Sequence, residues 1–107
     1  MNMAEEPKSG NESELLEDIK EELKEPDMWR VILLNDDYTP RDFVVEVLVS
    51  IFHKQPIEAT KIMLDVHNKG KGMVGVYPLD IGRTKVAQLT LLAREREYPL
   101  KSILERA

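Results

Sequence analysis

The spacing of apolar and polar residues predicts a strand, a turn and a helix at the start of a compact region that begins at residue 28. The run Trp29–Leu34 is rich in β-forming residues and contains no breaker, which indicates a strand buried on most of both faces. The polar cluster Asn35–Pro40 predicts a turn, with Thr39 as the N-cap of a helix and Pro40 as its first residue. Apolar pairs then recur every four positions over Phe43–Phe52, as on one face of an amphipathic helix.

A second helix and a second strand follow along the chain. Pro56 suits the first turn of a helix because it has no backbone N–H to satisfy. The apolar residues behind it recur at helical spacing: Ala59, Ile62, Met63 and Val66. Glycine adopts the left-handed conformation easily, so we expect Gly70 or Gly72 to end this helix. The apolar run Met73–Tyr77 predicts a strand that closes at Pro78.

A third helix and a last strand complete the region. The helix is predicted over Ile81–Glu97, before Pro99, and the strand over Leu100–Leu104. The side chains expected to face inward from this helix are Val86, Ala87, Thr90, Leu91 and Ala93. The predicted order is β-α-α-β-α-β. It corresponds to an α+β domain over residues 28–107, in which a small three-stranded, mostly antiparallel sheet packs against a layer of three helices.

Residues 1–27 differ from the rest of the chain in charge and composition. They hold ten acidic and three basic residues, a net charge of −7, whereas residues 28–107 have a net charge of +2. Such a segment buries too little apolar surface to offset the entropy of ordering, so we expect a flexible acidic extension. The alternative is a short amphipathic helix, capped by Ser13, that docks on a partner. Its apolar stripe would comprise Leu15, Leu16, Ile19 and Leu23.

The composition of the chain argues against several classes of function. The chain has 107 residues, a net charge of −5, 6% aromatic residues and no cysteine. Disulfides and thiol chemistry are therefore excluded, and the acidic balance argues against nucleic-acid binding. No stretch approaches the ~18 apolar residues of a membrane span, and the N-terminus is acidic where a secretory signal is basic. We expect a cytoplasmic protein without a membrane partner, metal or cofactor.

No sequence pattern typical of an active site is found. The metalloprotease motif His-Glu-x-x-His, the phosphate-binding glycine-rich loop and the nucleophile elbow are all missing. What stands out is the cluster Asn35, Asp36 and Asp37 where a strand meets a helix, together with His67 on a later helix. These side chains could simply form the turn and complement helix dipoles. They could instead bind a ligand or, in a hydrolase, transfer protons.

Three blocks of sequence resemble the ClpS family, the bacterial adaptors that hand N-end-rule substrates to the ClpAP protease. The first block is Val31–Pro40 with Phe43 and Val44. The second block is Ala59, Thr60, Met63, Leu64, Val66, His67 and Gly70–Gly72. The third block is Thr84–Val86 and Tyr98–Leu100. The resemblance spans residues 26–107 in register, behind a divergent acidic extension.

The resemblance implies a protease adaptor, not an enzyme. Its pocket would hold a bulky apolar N-terminal residue (Leu, Phe, Tyr or Trp) and read the free α-amino group. The positions that match the family's α-amino contacts are Asn35, Asp37 and His67. Those that match its pocket lining are Asp36, Thr39, Pro40, Arg41, Val44, Met63, Val66 and Leu100. Asp80, Thr84 and Lys85 match the contact with the N-terminal domain of a ClpA-type AAA+ unfoldase. The adaptor would act as a monomer, and the extension would serve substrate delivery.

The chemistry of these residues suits an α-amino group. With a pKa of about 7.7–8.0, this group is mostly an ammonium with three donors near neutral pH. Its partners must therefore be acceptors, which an amide oxygen (Asn35), a carboxylate (Asp37) and the lone pair of a neutral imidazole (His67) supply. An acetylated N-terminus would leave these groups unpaired, so we expect strong discrimination against it.

Arg41 departs from the family pattern, since a methionine commonly guards the pocket at this position. The arginine could be solvated, with its charge pointing away from the pocket. Alternatively, its apolar stem could cover the pocket while the guanidinium reaches water. In both cases, exclusion of N-terminal Ile and Val is in doubt.

A second class of function remains open. A general interaction domain with a ribosomal-stalk-like fold could share this architecture without recognising an N-terminal residue. Dependence of binding on a free α-amino group separates this alternative from the adaptor.

Overall fold

The computed structural model describes residues 12–16 and 27–107. Residues 12–16 are helical, and Leu15 and Leu16 are 59% and 53% exposed. Ser13, predicted as an N-cap, is itself helical. The remaining residues of the predicted apolar stripe, Ile19 and Leu23, lie outside the described residues, as does most of the predicted extension.

Six elements form residues 28–107, in the predicted order. They are β1 (Met28–Leu34), α1 (Arg41–Ser50), α2 (Pro56–Lys69), β2 (Lys71–Pro78), α3 (Leu79–Glu95) and β3 (Lys101–Arg106). The sheet has the order β2-β1-β3, and both pairings are antiparallel. The predicted α+β fold of a three-stranded sheet with three helices is confirmed.

The core lies between the sheet and the helices. Val31 and Leu33 of the central strand β1 are fully buried, as are Val47 and Leu48 of α1. Alternate residues of a strand point to the same side of a sheet, which explains why Val31 and Leu33 share this face. The ring of Phe43 packs on Tyr98 with centroids 4.8 Å apart, which joins α1 to the segment between α3 and β3.

The inward face of α3 differs from the prediction. Ala87 is exposed and Leu91 is 63% exposed, whereas Leu89, which was not predicted, is fully buried beside Ala93. Each helical residue is rotated by about 100°, so Ala87 and Leu91 both lie about 200° from Leu89. The buried face of α3 is formed by Gly82, Leu89 and Ala93.

Candidate functional site

A cavity of about 370 Å³ opens where β1 ends, between α1 and α2. Its lining residues are Asn35, Asp36, Asp37, Tyr38, Thr39, Pro40, Arg41, Val44, Met63, Val66 and His67. All the residues predicted to bind or line the pocket are here except Leu100. That residue is 4% exposed in the core and lines a different cavity, of about 230 Å³. Tyr38, 80% exposed, was not predicted, although its place between Asp37 and Thr39 could have indicated it.

Asp36 holds the loop between β1 and α1 in shape. Its carboxylate accepts hydrogen bonds from the backbone N–H groups of Tyr38 (2.8 Å) and Thr39 (2.6 Å) and from the Thr39 hydroxyl (2.7 Å). Burial alone would raise the pKa of Asp36, but these three hydrogen bonds outweigh it and lower the pKa below its ordinary value. Asp36 is therefore an ionised, internally satisfied carboxylate.

The helix that follows begins one residue later than predicted. Pro40 is the N-cap of α1, with an extended ψ of 143°, and Arg41 is the first helical residue. Thr39 was predicted as the N-cap, which is wrong because its hydroxyl donates to Asp36 instead of capping the helix. The backbone N–H groups of Phe43 and Val44 donate to the Pro40 carbonyl at 3.1 and 3.3 Å.

Asn35 and Asp37 present free acceptors to the cavity. Among residues 12–16 and 27–107, neither side chain has a hydrogen-bond or ionic partner, and both residues are exposed. The backbone of Asn35 is nevertheless fixed, because its N–H donates to the Gly70 carbonyl at 2.9 Å. This bond ties the end of β1 to the end of α2, where His67 lies. The cavity thus combines a backbone that is hydrogen-bonded between two elements with polar side chains that have no partner among the described residues.

His67 has a partner across the cavity. It lies in the last turn of α2, and its Nε2 accepts a hydrogen bond of 2.5 Å from the Arg41 guanidinium. The guanidinium of Arg41 therefore does not point away from the pocket, which was one of the two possibilities at this position. Both residues are exposed, so the contact lies at the mouth of the cavity.

The inner wall of the cavity is apolar. Val44 and Val66 are 6% and 2% exposed, and Met63 packs partly buried against the core. Such a wall suits an apolar side chain of the ligand, while the acceptors at the mouth suit a group with several donors. Asp36 is engaged by the loop, so it does not form an acid/base pair with Asp37.

The predicted unfoldase-contact residues line another cavity, of about 400 Å³, near the end of α1. Asp80, Thr84 and Lys85 contribute to it from α3, together with His53 and neighbouring residues that were not predicted. The Lys85 ammonium donates to the Ile51 carbonyl at 2.9 Å and lies over the rings of Phe52 and Tyr77, 5.7 and 5.6 Å from their centroids. Lys85 therefore also stabilises the C-terminal end of α1.

Two further features bear on the class of protein. In the described part of the chain, no three His, Asp or Glu side chains come close enough to hold a metal ion. No helix within that part is long and apolar enough to cross a membrane.

Comparison with known proteins agrees with the fold. The sequence model of the ATP-dependent Clp protease adaptor protein ClpS matches residues 24–103. The ClpS adapter of Acetivibrio thermocellus is 58% identical over 84 residues, which cover 78% of this chain and 85% of the relative. That of Shewanella piezotolerans is 54% identical over 91 residues, which cover 85% of this chain and 89% of the relative.

A solved structure is similar as well. Agrobacterium tumefaciens ClpS2 bound to L-phenylalaninamide superposes with a TM-score of 0.75 at 37% identity, covering 78% of this chain and 100% of that chain. Since this family consists of adaptors, the chain is a binding protein and not an enzyme. The chain belongs to the ClpS family of Clp protease adaptors.

Proposed function

We propose that this adaptor binds the free α-amino group and the bulky apolar side chain (Leu, Phe, Tyr or Trp) of N-end-rule substrates and delivers them to the ClpAP protease. The observation that carries this proposal is the composition of the 370 Å³ cavity. It joins the acceptors of Asn35 and Asp37, which have no partner among the described residues, to the apolar wall of Val44 and Val66. A ligand with an ammonium next to a large apolar side chain satisfies both parts.

The ligand of the structural relative supports the same chemistry. L-Phenylalaninamide carries a free α-amino group and an aromatic side chain, and the relative that binds it is 37% identical to this chain. In the complex proposed here, Asn35, Asp37 and His67 accept hydrogen bonds from the ammonium. Asp36 and Thr39 shape the loop, and Pro40, Arg41, Val44, Met63 and Val66 surround the side chain.

The expected affinity is moderate. Each hydrogen bond to the ammonium contributes roughly 1.5–3 kcal/mol, and burial of a Leu or Phe side chain contributes about as much. Three such bonds and one buried side chain contribute at most about 12 kcal/mol, and the loss of translational and rotational freedom costs at least about 4 kcal/mol. At most about −8 kcal/mol then remains, which corresponds to a micromolar complex. An adaptor must release its cargo, and this affinity permits it.

Delivery requires a second surface. We assign it to the cavity at Asp80, Thr84 and Lys85, which is distinct from the ligand cavity and contains both charged and apolar groups. The N-terminal domain of a ClpA-type unfoldase is the proposed partner there, and residues 1–27 are proposed as a flexible extension used in delivery. We propose that the adaptor acts as a monomer. We also place it in the cytoplasm, since it must reside in the compartment of the protease that it serves.

Peptide binding tests the proposal. Fluorescence polarisation is measured with a labelled peptide that begins with Leu, and with the same peptide either N-acetylated or beginning with Gly. Micromolar binding of the free Leu peptide alone is the expected result. Equal binding of all three peptides would contradict recognition of the N-terminal residue and would favour a general interaction surface.

A further inference from the structure

The three proposed ammonium acceptors are not equally available. Among the described residues, the side chains of Asn35 and Asp37 have no partner, whereas His67 Nε2 is occupied by the guanidinium of Arg41. Arg41 makes this contact although two carboxylates line the same cavity, and within residues 12–16 and 27–107 it forms no salt bridge with either of them. In the free adaptor, the guanidinium of Arg41 thus occupies one of the three acceptors proposed for the substrate's ammonium group.

The chemistry of the contact makes the competition direct. A guanidinium carries only donors and does not lose its proton in proteins, so it must donate to His67. The imidazole has a single lone pair, on the ring nitrogen that carries no hydrogen. In this structure that lone pair is on Nε2, which Arg41 uses. An ammonium that binds His67 needs the same lone pair, so the two contacts exclude each other.

We propose that Arg41 is an affinity-determining gate, which closes the acceptor His67 in the free adaptor and must be displaced by the α-amino group of the substrate. This inference rests on the proposed function, because it requires that His67 contacts the ammonium. A closed fraction of the free protein weakens apparent binding in proportion to that fraction. For a net hydrogen bond of ordinary strength, the weakening is about three- to tenfold for every free-amino ligand.

A different effect of Arg41 would also weaken binding. Its positive charge could repel the ammonium from a distance, without any involvement of His67. The two effects differ in one respect: repulsion persists when His67 is removed, whereas competition for the lone pair does not. A double-mutant cycle separates them because it measures the coupling between the two side chains.

The experiment measures the dissociation constant of a labelled Leu-initiated peptide for the full-length chain, Arg41→Met, His67→Ala and the double variant. Both residues are exposed, so the substitutions leave the core intact, and thermal unfolding of each variant verifies this. Arg94→Met is the matched control, since it removes an exposed arginine that does not line the ligand cavity.

The proposal predicts that the tightening caused by Arg41→Met is about three- to tenfold greater in the wild-type background than in the His67→Ala background, because any other effect of Arg41 on the pocket is common to both backgrounds. The control Arg94→Met has no effect in either background. Equal tightening in both backgrounds, or none in the wild-type background, would overturn the gate and leave N-terminal recognition standing. Failure of all variants to bind would overturn the proposed function and the gate with it.

Discussion

Asp36 and Asp37 are neighbours in the chain, yet their side chains have different surroundings. Asp36 accepts three hydrogen bonds from Tyr38 and Thr39, whereas Asp37 has no partner among the described residues. At the scale of single residues, the loop thus separates two tasks. One carboxylate stabilises the loop, and the other is the one that we propose contacts a ligand.

This separation predicts that two matched substitutions affect different properties, one the stability of the fold and the other the affinity for the peptide. Asp36→Asn lowers the free energy of unfolding by about 1 kcal/mol, because the charged acceptor in the loop is lost. Asp37→Asn changes stability by less than about 0.5 kcal/mol, as is usual for an exposed side chain, and Asp37 has no partner in the described part of the chain. The affinity for a Leu-initiated peptide falls roughly tenfold or more in Asp37→Asn. Urea unfolding and fluorescence polarisation measure the two quantities.

The stabilising effect of Asp36 depends on pH in a defined direction. Its pKa is lowered in the folded state, so its contribution is present above the ordinary value of 3.8 and is lost as the pH falls through the folded-state pKa. The difference in stability between wild type and Asp36→Asn is therefore constant from pH 7 to about pH 5 and shrinks below about pH 4. A difference that persisted unchanged at pH 3 would contradict this role for Asp36.

The sequence predicts the position of these residues better than their contacts. The residues expected in the pocket do line one cavity, apart from Leu100, but their roles in binding stay predictions. Thr39 was wrongly predicted as an N-cap because the side chains of Ser, Thr and Asp all form local hydrogen bonds with the backbone in turns. Only the backbone geometry decides which of these side chains accepts the hydrogen bonds of the loop, and here it is Asp36. Arg41 and His67 are 26 positions apart in the chain, so no local sequence pattern indicates the hydrogen bond between them.

At the scale of elements, the end of α2 determines the geometry of the site. Gly70 ends the helix with a φ of 89°, its N–H donates to the Val66 carbonyl, and its own carbonyl accepts from Asn35. An L-residue with a side chain adopts this left-handed conformation at a cost. The sequence proposed Gly70 or Gly72 for this place, and the structure selects Gly70.

Substitution of Gly70 tests that geometry. A Cβ at this position would contact nothing within 4 Å, so the effect of Gly70→Ala comes from the backbone alone. We expect a loss of about 1 kcal/mol in the free energy of unfolding, measured by urea unfolding. Gly70→Asn is the matched control, since asparagine tolerates this conformation better and is expected to lose less. An equal loss in both variants would contradict the conformational explanation.

Element boundaries were predicted to within about two residues, and the errors have physical causes. The strands β2 and β3 extend further than their apolar runs because pairing with the central strand β1 orders polar residues such as Lys71 and Arg106 as well. Of the side chains predicted to face inward from α3, Ala93 is buried and Val86 packs against the core, whereas Ala87 is exposed. Leu91 was also assigned wrongly, because it looks like a core residue by composition. Its burial depends on how the helix is rotated on the sheet, which is a tertiary property.

At the scale of the whole molecule, α1 separates the two proposed binding surfaces. Its first residue, Arg41, lines the ligand cavity, and Ser50 at its other end lines the cavity of Lys85. The proposed substrate surface and the proposed unfoldase surface therefore share no lining residue. The ClpA-type unfoldase was predicted as the partner from the resemblance to the family. The charge and burial of a surface do not by themselves identify the protein that binds there.

The separation of the two surfaces predicts that unfoldase binding can be lost while peptide binding is kept. Lys85→Met removes the ammonium but keeps an apolar stem, so binding to the ClpA-type unfoldase falls roughly tenfold while peptide affinity stays unchanged. Stability falls by about 1 kcal/mol because the hydrogen bond to the Ile51 carbonyl is lost. Lys61→Met, at an exposed position outside both cavities, is the control. Loss of peptide binding in Lys85→Met would contradict two separate surfaces.

The central claim is that the cavity between α1 and α2 recognises a free α-amino group together with a bulky apolar side chain. It is tested most directly by NMR chemical-shift mapping of the ¹⁵N-labelled protein with L-phenylalaninamide, with its N-acetylated form as the control. We expect shifts confined to Asn35–Val44 and Met63–Gly70 with the free amine and none with the acetylated compound. Equal shifts with both compounds, or shifts elsewhere on the surface, would contradict it.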